Sequence, residues 1–176
     1  MIPKKITIGI VATLLSVLNI VSAQNSVTTL ILVRHAEKQS DGTTDPDLTD
    51  VGRNRAKLLA DMLSNTDLTA IYSTNYKRTR NTIAPTASAH DLKIQSYKAF
   101  DENSLQDILS NNSGGTVLVV GHSNNIPWIA NVLTGTKDFS DWKEDDYDNL
   151  LIVTVGEDKI AKVTKLRFGQ CPDQDN

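Results

Sequence analysis

The sequence predicts an α/β protein, a three-layer α/β/α domain around a mainly parallel central sheet. Three observations give this reading. The runs Val27–Val33 and Thr116–Val120 are apolar and rich in β-branched residues without polar alternation, the pattern of strands buried on both faces. Strand-like and helix-like segments alternate along the chain from residue 27 onward. Both buried runs end in groups that a sheet interior does not tolerate alone, Arg34-His35 and Gly121-His122. Ligands of open α/β sheets bind at that carboxyl end of the strands.

The first residues stand outside this pattern. Lys4 and Lys5 precede an apolar stretch, Ile6–Val21, that closes on the small residues of Val21-Ser22-Ala23. This is the arrangement of a secretory signal peptide with cleavage after Ala23. The stretch is shorter than the roughly 20 residues a spanning helix needs, and Asn19 interrupts it. The expected organisation is a signal peptide over residues 1–23 and one domain over residues 24–176. The mature protein is then periplasmic or secreted, with no stable membrane anchor. The whole chain has a formal net charge of −3. Both leader charges are basic, so the remainder is more acidic still and has no basic stripe, which argues against nucleic acid as a partner. Cys171 is the single cysteine and reads as a free thiol.

After the first strand comes a polar loop, Lys38 to Asp50. Ala56, Leu59, Ala60 and Leu63 recur at helical spacing over Arg53–Leu63, with Thr49 or Asp50 as N-cap. Leu68–Tyr72 is a short strand. Tyr76–Ala89 reads as a helix that Pro85 kinks or stops early. Lys93–Tyr97 reads as an edge strand and Leu105–Leu109 as a short helix. Gly114-Gly115 marks a turn before the second buried strand. The next helix runs to about Leu133, with Asn124 or Asn125 as cap and Pro127 in its first turn. Asn149–Val155 and Lys159–Phe168 flank Gly156 as a closing hairpin.

The chemistry gathers at strand ends. Arg34 and His35 follow the first strand, Arg78 lies early in the helix after the second, and His122 follows the second buried run. Two guanidinium forks and two imidazoles at one sheet edge suit a dianionic phosphoryl group, because Arg matches its oxygens bidentately. The amino terminus of the helix after His122 adds N–H donors and a favourable dipole. Ser73, Thr79 and Asn124 are neutral candidates for substrate binding, although Ser, Thr and Asn serve turns and caps equally well. A metal site fits poorly: no third His or Cys stands at ligand spacing, and adjacent guanidinium groups repel a cation. His90 reads as a surface residue, and the acidic run Glu144–Asp148 as a solvated loop.

Four ordered elements carry a family resemblance. Leu32-Val33-Arg34-His35-Ala36-Glu37 resembles the Arg-His-Gly/Ala motif of the histidine phosphatase superfamily, also called phosphoglycerate mutase-like. Leu48-Thr49 with Gly52 and Ala56, Tyr72-Ser73-Thr74 with Arg78, Thr79 and Thr82, and Gly121-His122-Ser123-Asn124 resemble its other elements in the same order. The resemblance implies that His35 is the nucleophile and forms a phosphohistidine, while Arg34, Arg78 and His122 bind the phosphoryl group and stabilise its transition-state charge. It implies a hydrolase without metal or other cofactor, acting on a small phosphorylated substrate or a phosphoprotein. The alternatives are a phospho-ligand-binding module of the same fold that does not turn over and, least favoured, a phosphomutase. The insertions mutases use to reorient a bisphosphate have no room here.

The proton donor for the leaving group is the unmatched role. Many relatives carry a Glu or Asp between the second and third motifs. Here Asp101 and Glu102, after Phe100, are the candidates, with Glu37 next.

Overall fold

A computed structural model of the chain describes residues 27–169; the expected signal peptide and Cys171 lie outside the described residues. Six strands and four helices follow in the order β1 (Thr28–Arg34), α1 (Asp50–Leu63), β2 (Leu68–Ser73), α2 (Lys77–Ala89), β3 (Ile94–Ser96), α3 (Glu102–Asn111), β4 (Thr116–Gly121), α4 (Asn125–Thr134), β5 (Asn149–Val155) and β6 (Ala161–Arg167). They form one sheet in the order β3-β2-β4-β1-β5-β6. The pairs β2–β3, β2–β4 and β1–β4 are parallel. The last two pairings, β1–β5 and β5–β6, are antiparallel, so the sheet is mixed and mostly parallel.

Period-two alternation divides the central strands between two cores. Leu30 and Leu32 of β1 and Val117 and Val119 of β4 face Leu105, Ile108, Ile126 and Ile129 of α3 and α4. Ile31 and Val33, with Leu118 and Val120, face Leu59, Leu63, Ile83 and Ala87 of α1 and α2. Each strand therefore reads as continuously apolar because both faces are covered. The predicted three-layer arrangement is the observed one.

Helix limits depart from the sequence in physically simple ways. Thr49 is the N-cap of α1, accepting the Gly52 N–H at 3.0 Å. Pro85 does not stop α2, which continues to Ala89. Helix α3 starts earlier than its apolar residues suggest, because Asp101 caps it by accepting the Asn103 N–H at 3.0 Å. Asn124 occupies the N-cap position of α4 but its side chain makes no capping bond. Gly135 ends α4 in the left-handed region (φ 67°). His90 is half-buried rather than superficial, its Nε2 lying 3.1 Å from the Leu63 carbonyl.

Candidate active site

Strand register brings the basic residues together. Strands β2, β4 and β1 are neighbours, with Arg34 paired to Gly121 and Ser73 to Val120. Beyond the last rungs, the His35 N–H donates to the Gly121 carbonyl at 2.9 Å and the Thr74 N–H to the Val120 carbonyl at 3.4 Å. Three strand ends are thus level, and the residues that follow them meet over one edge of the sheet. The rings of His35 and His122 lie edge-to-face with centroids 5.5 Å apart. Two glycines permit the close approach. A Cβ on Gly121 would collide with the Asn125 amide and the Tyr97 hydroxyl, which bond to each other at 2.5 Å. A Cβ on Gly52 would collide with the backbone of Glu37, against which the start of α1 is pressed.

His35 is buried, and its Nδ1 lies 2.8 Å from the Ala36 carbonyl. A carbonyl only accepts, so Nδ1 carries the proton and the neutral ring keeps its free lone pair on Nε2. Burial, aided by Arg34, His122 and Arg78, holds the His35 pKa down at about 3. His122 is held at about 4, by burial first and then by Arg78 and Arg34. Both imidazoles are neutral at ordinary pH. His122 Nε2 lies 3.0 Å from the Thr74 hydroxyl, and the exposed ring of Tyr76 meets it edge-on at 5.1 Å.

The two guanidinium groups are held differently. Arg34 is 1% exposed. Its NH1 donates to the carbonyls of Lys143 at 2.8 Å and Asp146 at 3.3 Å, its NH2 to the Glu144 carboxylate at 3.2 Å. The Tyr147 ring lies 4.1 Å beneath its Cζ. Arg78 stacks on Tyr76 at 4.4 Å and has one carboxylate, Asp45, at 3.8 Å. The Nε atoms of both are buried without a hydrogen-bond partner.

Several assignments change. Ser73 and Thr79 are fully buried. The Ser73 hydroxyl donates to the Thr74 carbonyl at 2.8 Å, and that of Thr79 is turned to the carbonyls of Thr74 and Tyr76 at 2.8 and 2.9 Å. Both hold the turn that delivers Arg78 instead of facing a substrate. Asn124 is exposed beside His122 with its side chain free to turn. Asp101 is spent on the α3 cap, and Glu102 is exposed in the first turn of that helix. The Glu37 carboxylate is gripped by Arg55, with Nε at 3.0 Å from both oxygens and NH2 at 2.7 Å. That pair ties the loop after β1 to α1 and to the Phe168 carbonyl, which Arg55 NH1 reaches at 2.7 Å. Of the three expected proton donors, Glu37 and Asp101 are thus engaged by other groups, and Glu102 stands exposed.

The acidic run is also not a plain solvated loop. Residues 143–147 wrap Arg34, and Glu144 bridges it to Lys38 at 2.9 Å. The sequence offered one signal, an aromatic residue, Tyr147, inside a run of acids. Thr82 is a further silent participant: its hydroxyl accepts the Ala36 N–H at 2.8 Å and donates to the Arg78 carbonyl at 2.7 Å, linking the two motifs. Among the described residues, no three His, Cys, Asp or Glu side chains lie close enough to hold a metal ion. Among them, too, no helix is long and apolar enough to cross a membrane.

Comparison with known proteins bears on the sequence likeness and the fold. The profile of the histidine phosphatase superfamily, branch 1, matches residues 30–108. Phosphoserine phosphatase 1 of Hydrogenobacter thermophilus is 45% identical over 71 residues, 37% of this chain and 34% of that protein. The match therefore spans about a third of the curated relative's length. A mycobacterial glucosyl-3-phosphoglycerate phosphatase superposes with a TM-score of 0.67 over 81% of this chain and 100% of its own, at 11% identity. The protein histidine phosphatase SixA, solved with tungstate, superposes with a TM-score of 0.65 over 79% of this chain and 96% of its own, at 16% identity. At such identities these structures speak for the fold. With the matching profile, the ordered motifs and the shared fold taken together, the chain is similar to the histidine phosphatase superfamily, branch 1, over residues 30–108 and has the fold of these solved structures.

Proposed function

We propose that the protein is a metal-independent phosphatase that works through a phosphohistidine on His35. The observation that carries this reading is the pairing of unmet donors with a prepared nucleophile. Two guanidinium groups, that of Arg34 buried and that of Arg78 partly so, each keep a buried Nε–H without a protein partner, beside an imidazole whose Nδ1–H is fixed on a carbonyl. Buried cationic donors call for an anion, and a neutral ring with Nε2 free is the nucleophilic tautomer.

Four groups share the work. His35 Nε2 attacks phosphorus while Arg34 and Arg78 take the equatorial oxygens and their growing charge. The Thr74 hydroxyl donates to Thr79 Oγ1 at 3.1 Å, so it accepts from His122 Nε2–H and leaves His122 Nδ1 to take up a proton for a phosphoryl oxygen. An arriving dianion favours the charged form of His122, while His35 stays neutral for the attack. This supplies positive charge only when substrate is bound. Water then attacks the phosphohistidine and releases phosphate.

Phosphate release from p-nitrophenyl phosphate tests the proposal. The wild type should turn over in EDTA and be inhibited by vanadate, and His35→Ala should remove nearly all activity. A phosphorylated protein isolated under alkaline conditions should carry the label on His35. Stable binding of phosphate without turnover would replace the enzyme with a binding module.

Small phosphorylated substrates are the proposed class, supported by relatives named for phosphoserine and for phosphohistidine on protein. Export is proposed on the leader alone: Lys4 and Lys5, the apolar stretch and Val21-Ser22-Ala23. N-terminal sequencing of the protein recovered outside the cytoplasm should begin at Gln24; recovery only as the uncleaved chain would sink it.

A further inference from the structure

We propose that Tyr147 is the proton donor to the leaving group, a role resting on the phosphatase reading above. The inference starts from elimination. An ester oxygen leaving as an alkoxide needs a proton in the transition state; among the candidate carboxylates Glu37, Asp101, Asp45 and Glu144 are held by other groups, and Glu102 stands exposed. Glu37 is gripped by Arg55. Asp101 caps α3 and Glu102 points from its exposed first turn. Asp45 accepts the Lys77 N–H at 2.9 Å and faces Arg78. Glu144 is held below the usual carboxylate range, first by its hydrogen bond to Lys38 and then by Arg34, so at neutral pH it has no proton to give.

Tyr147 stands where these groups do not. Its ring centroid is 5.9 Å from that of His35, and the same ring lies 4.1 Å from Arg34 Cζ. Rings at that separation leave edges close enough for one phosphoryl group to touch both. Among the described residues its hydroxyl makes no hydrogen bond. The loop that carries it is fixed: the Lys143 and Asp146 carbonyls hold Arg34, and the Trp142 N–H donates to the Ser123 carbonyl at 3.0 Å, beside His122. Burial raises the phenol above its ordinary range while Arg34 opposes the rise. The group keeps its proton at neutral pH and has a guanidinium at its face when it gives the proton up.

The balance is complete without any added reagent. In the first step the bond from His35 Nε2 to phosphorus forms. The bond from phosphorus to the ester oxygen breaks, its electron pair goes to that oxygen, and the phenolic proton follows. In the second step a water oxygen attacks phosphorus, the Nε2–phosphorus pair returns to the imidazole, and the phenolate takes the water's proton. Tyr147 is restored and phosphate leaves.

Tyr147→Phe keeps the ring over Arg34 and removes only the hydroxyl. Assayed on a series from p-nitrophenyl phosphate to glycerol phosphate, it should lower kcat for the alkyl ester by on the order of 100-fold. The loss on the aryl ester should be much smaller, so that the dependence of rate on leaving-group pKa steepens. Equal losses on both esters, or none, would overturn the assignment, because a purely structural hydroxyl does not read the leaving group. The wild type gives a second check needing no variant: its rates should depend only weakly on leaving-group pKa, and a steep dependence would also overturn it. A wild type inactive on every ester would instead defeat the phosphatase reading itself.

Discussion

The two arginines of the site make the most instructive contrast in the molecule. Arg34 is encased: two backbone carbonyls, a carboxylate and a tyrosine ring hold it from a loop more than a hundred residues away in sequence. Arg78 is held by less, the face of Tyr76 and one carboxylate at 3.8 Å. Backbone carbonyls of a tied loop do not yield to a substrate, whereas a half-exposed aspartate does. One jaw of the proposed phosphoryl clamp is therefore preorganised and the other adjusts. Preorganised donors supply most of the transition-state stabilisation in dry sites, while an adjustable donor accommodates different substrates.

Replacing each arginine by alanine probes this contrast most strongly. Arg34→Ala should lower kcat/KM by more than about 1000-fold, and Arg78→Ala by about 100-fold. The variants should differ more sharply in stability. Arg34→Ala removes the buried guanidinium that ties the part-buried carbonyls of Lys143 and Asp146 and should cost about 2–4 kcal/mol in urea unfolding, with little change for Arg78→Ala. Similar stabilities for the two would remove the distinction between a fixed and a yielding jaw.

Next in size is the response to pH. His35 and His122 have folded pKa values of about 3 and about 4, against an ordinary value near 6.5. The unfolded chain takes up protons that the folded state refuses, so stability rises with pH through this window. The contribution is fully present above about 6.5 and is lost as pH falls towards 4 and then 3. Thermal melts from pH 8 to 4 should show a decline below about 6.5, and His122→Gln should flatten part of it. An unchanged profile would mean that His122 does not contribute. Both imidazoles remain neutral far below neutrality, so the rate should not collapse near pH 6 through protonation of free His35.

The smallest effects test the carboxylates. Glu144 and Asp45 sit against the arginines, where they would compete with phosphate for the same positive charge. Glu144→Gln should tighten vanadate inhibition by about threefold and Asp45→Asn by less, in keeping with the small energies of exposed ion pairs. A larger effect from Asp45 would reverse the order of the two jaws.

Much of this architecture was legible beforehand, for physical reasons that differ by region. Leu30 to Val33 and Val117 to Val120 read as buried strands because both sheet faces demand apolar side chains, and nothing else produces that run. Arg34, His35, Arg78 and His122 stand out because charge at the end of such a run needs a partner. Ser73 and Thr79 misled because a hydroxyl serves a turn or a ligand with the same atoms; only their burial decides. Asp101 looked like an acid and is a cap, the commonest other use of an aspartate before a helix. What could not be read was non-local pairing. Nothing in the neighbourhood of Glu37 announces Arg55, and nothing around Arg34 announces the carbonyls of Lys143 and Asp146. Tyr147 stood in plain view inside an acidic run, its meaning set by a residue at the far end of the chain.

The long reach from Arg34 to residues 143–147 also has a consequence in time. Contacts between distant parts of a chain form after the local ones, because their loop entropy must be met first. Until the β5–β6 hairpin pairs with β1, Arg34 lacks its cradle and Tyr147 is far from His35. A chain still emerging from the ribosome, or cut before residue 143, carries all four ordered motifs and on this proposal should nonetheless be inert. Turnover would then report that the last hairpin has closed.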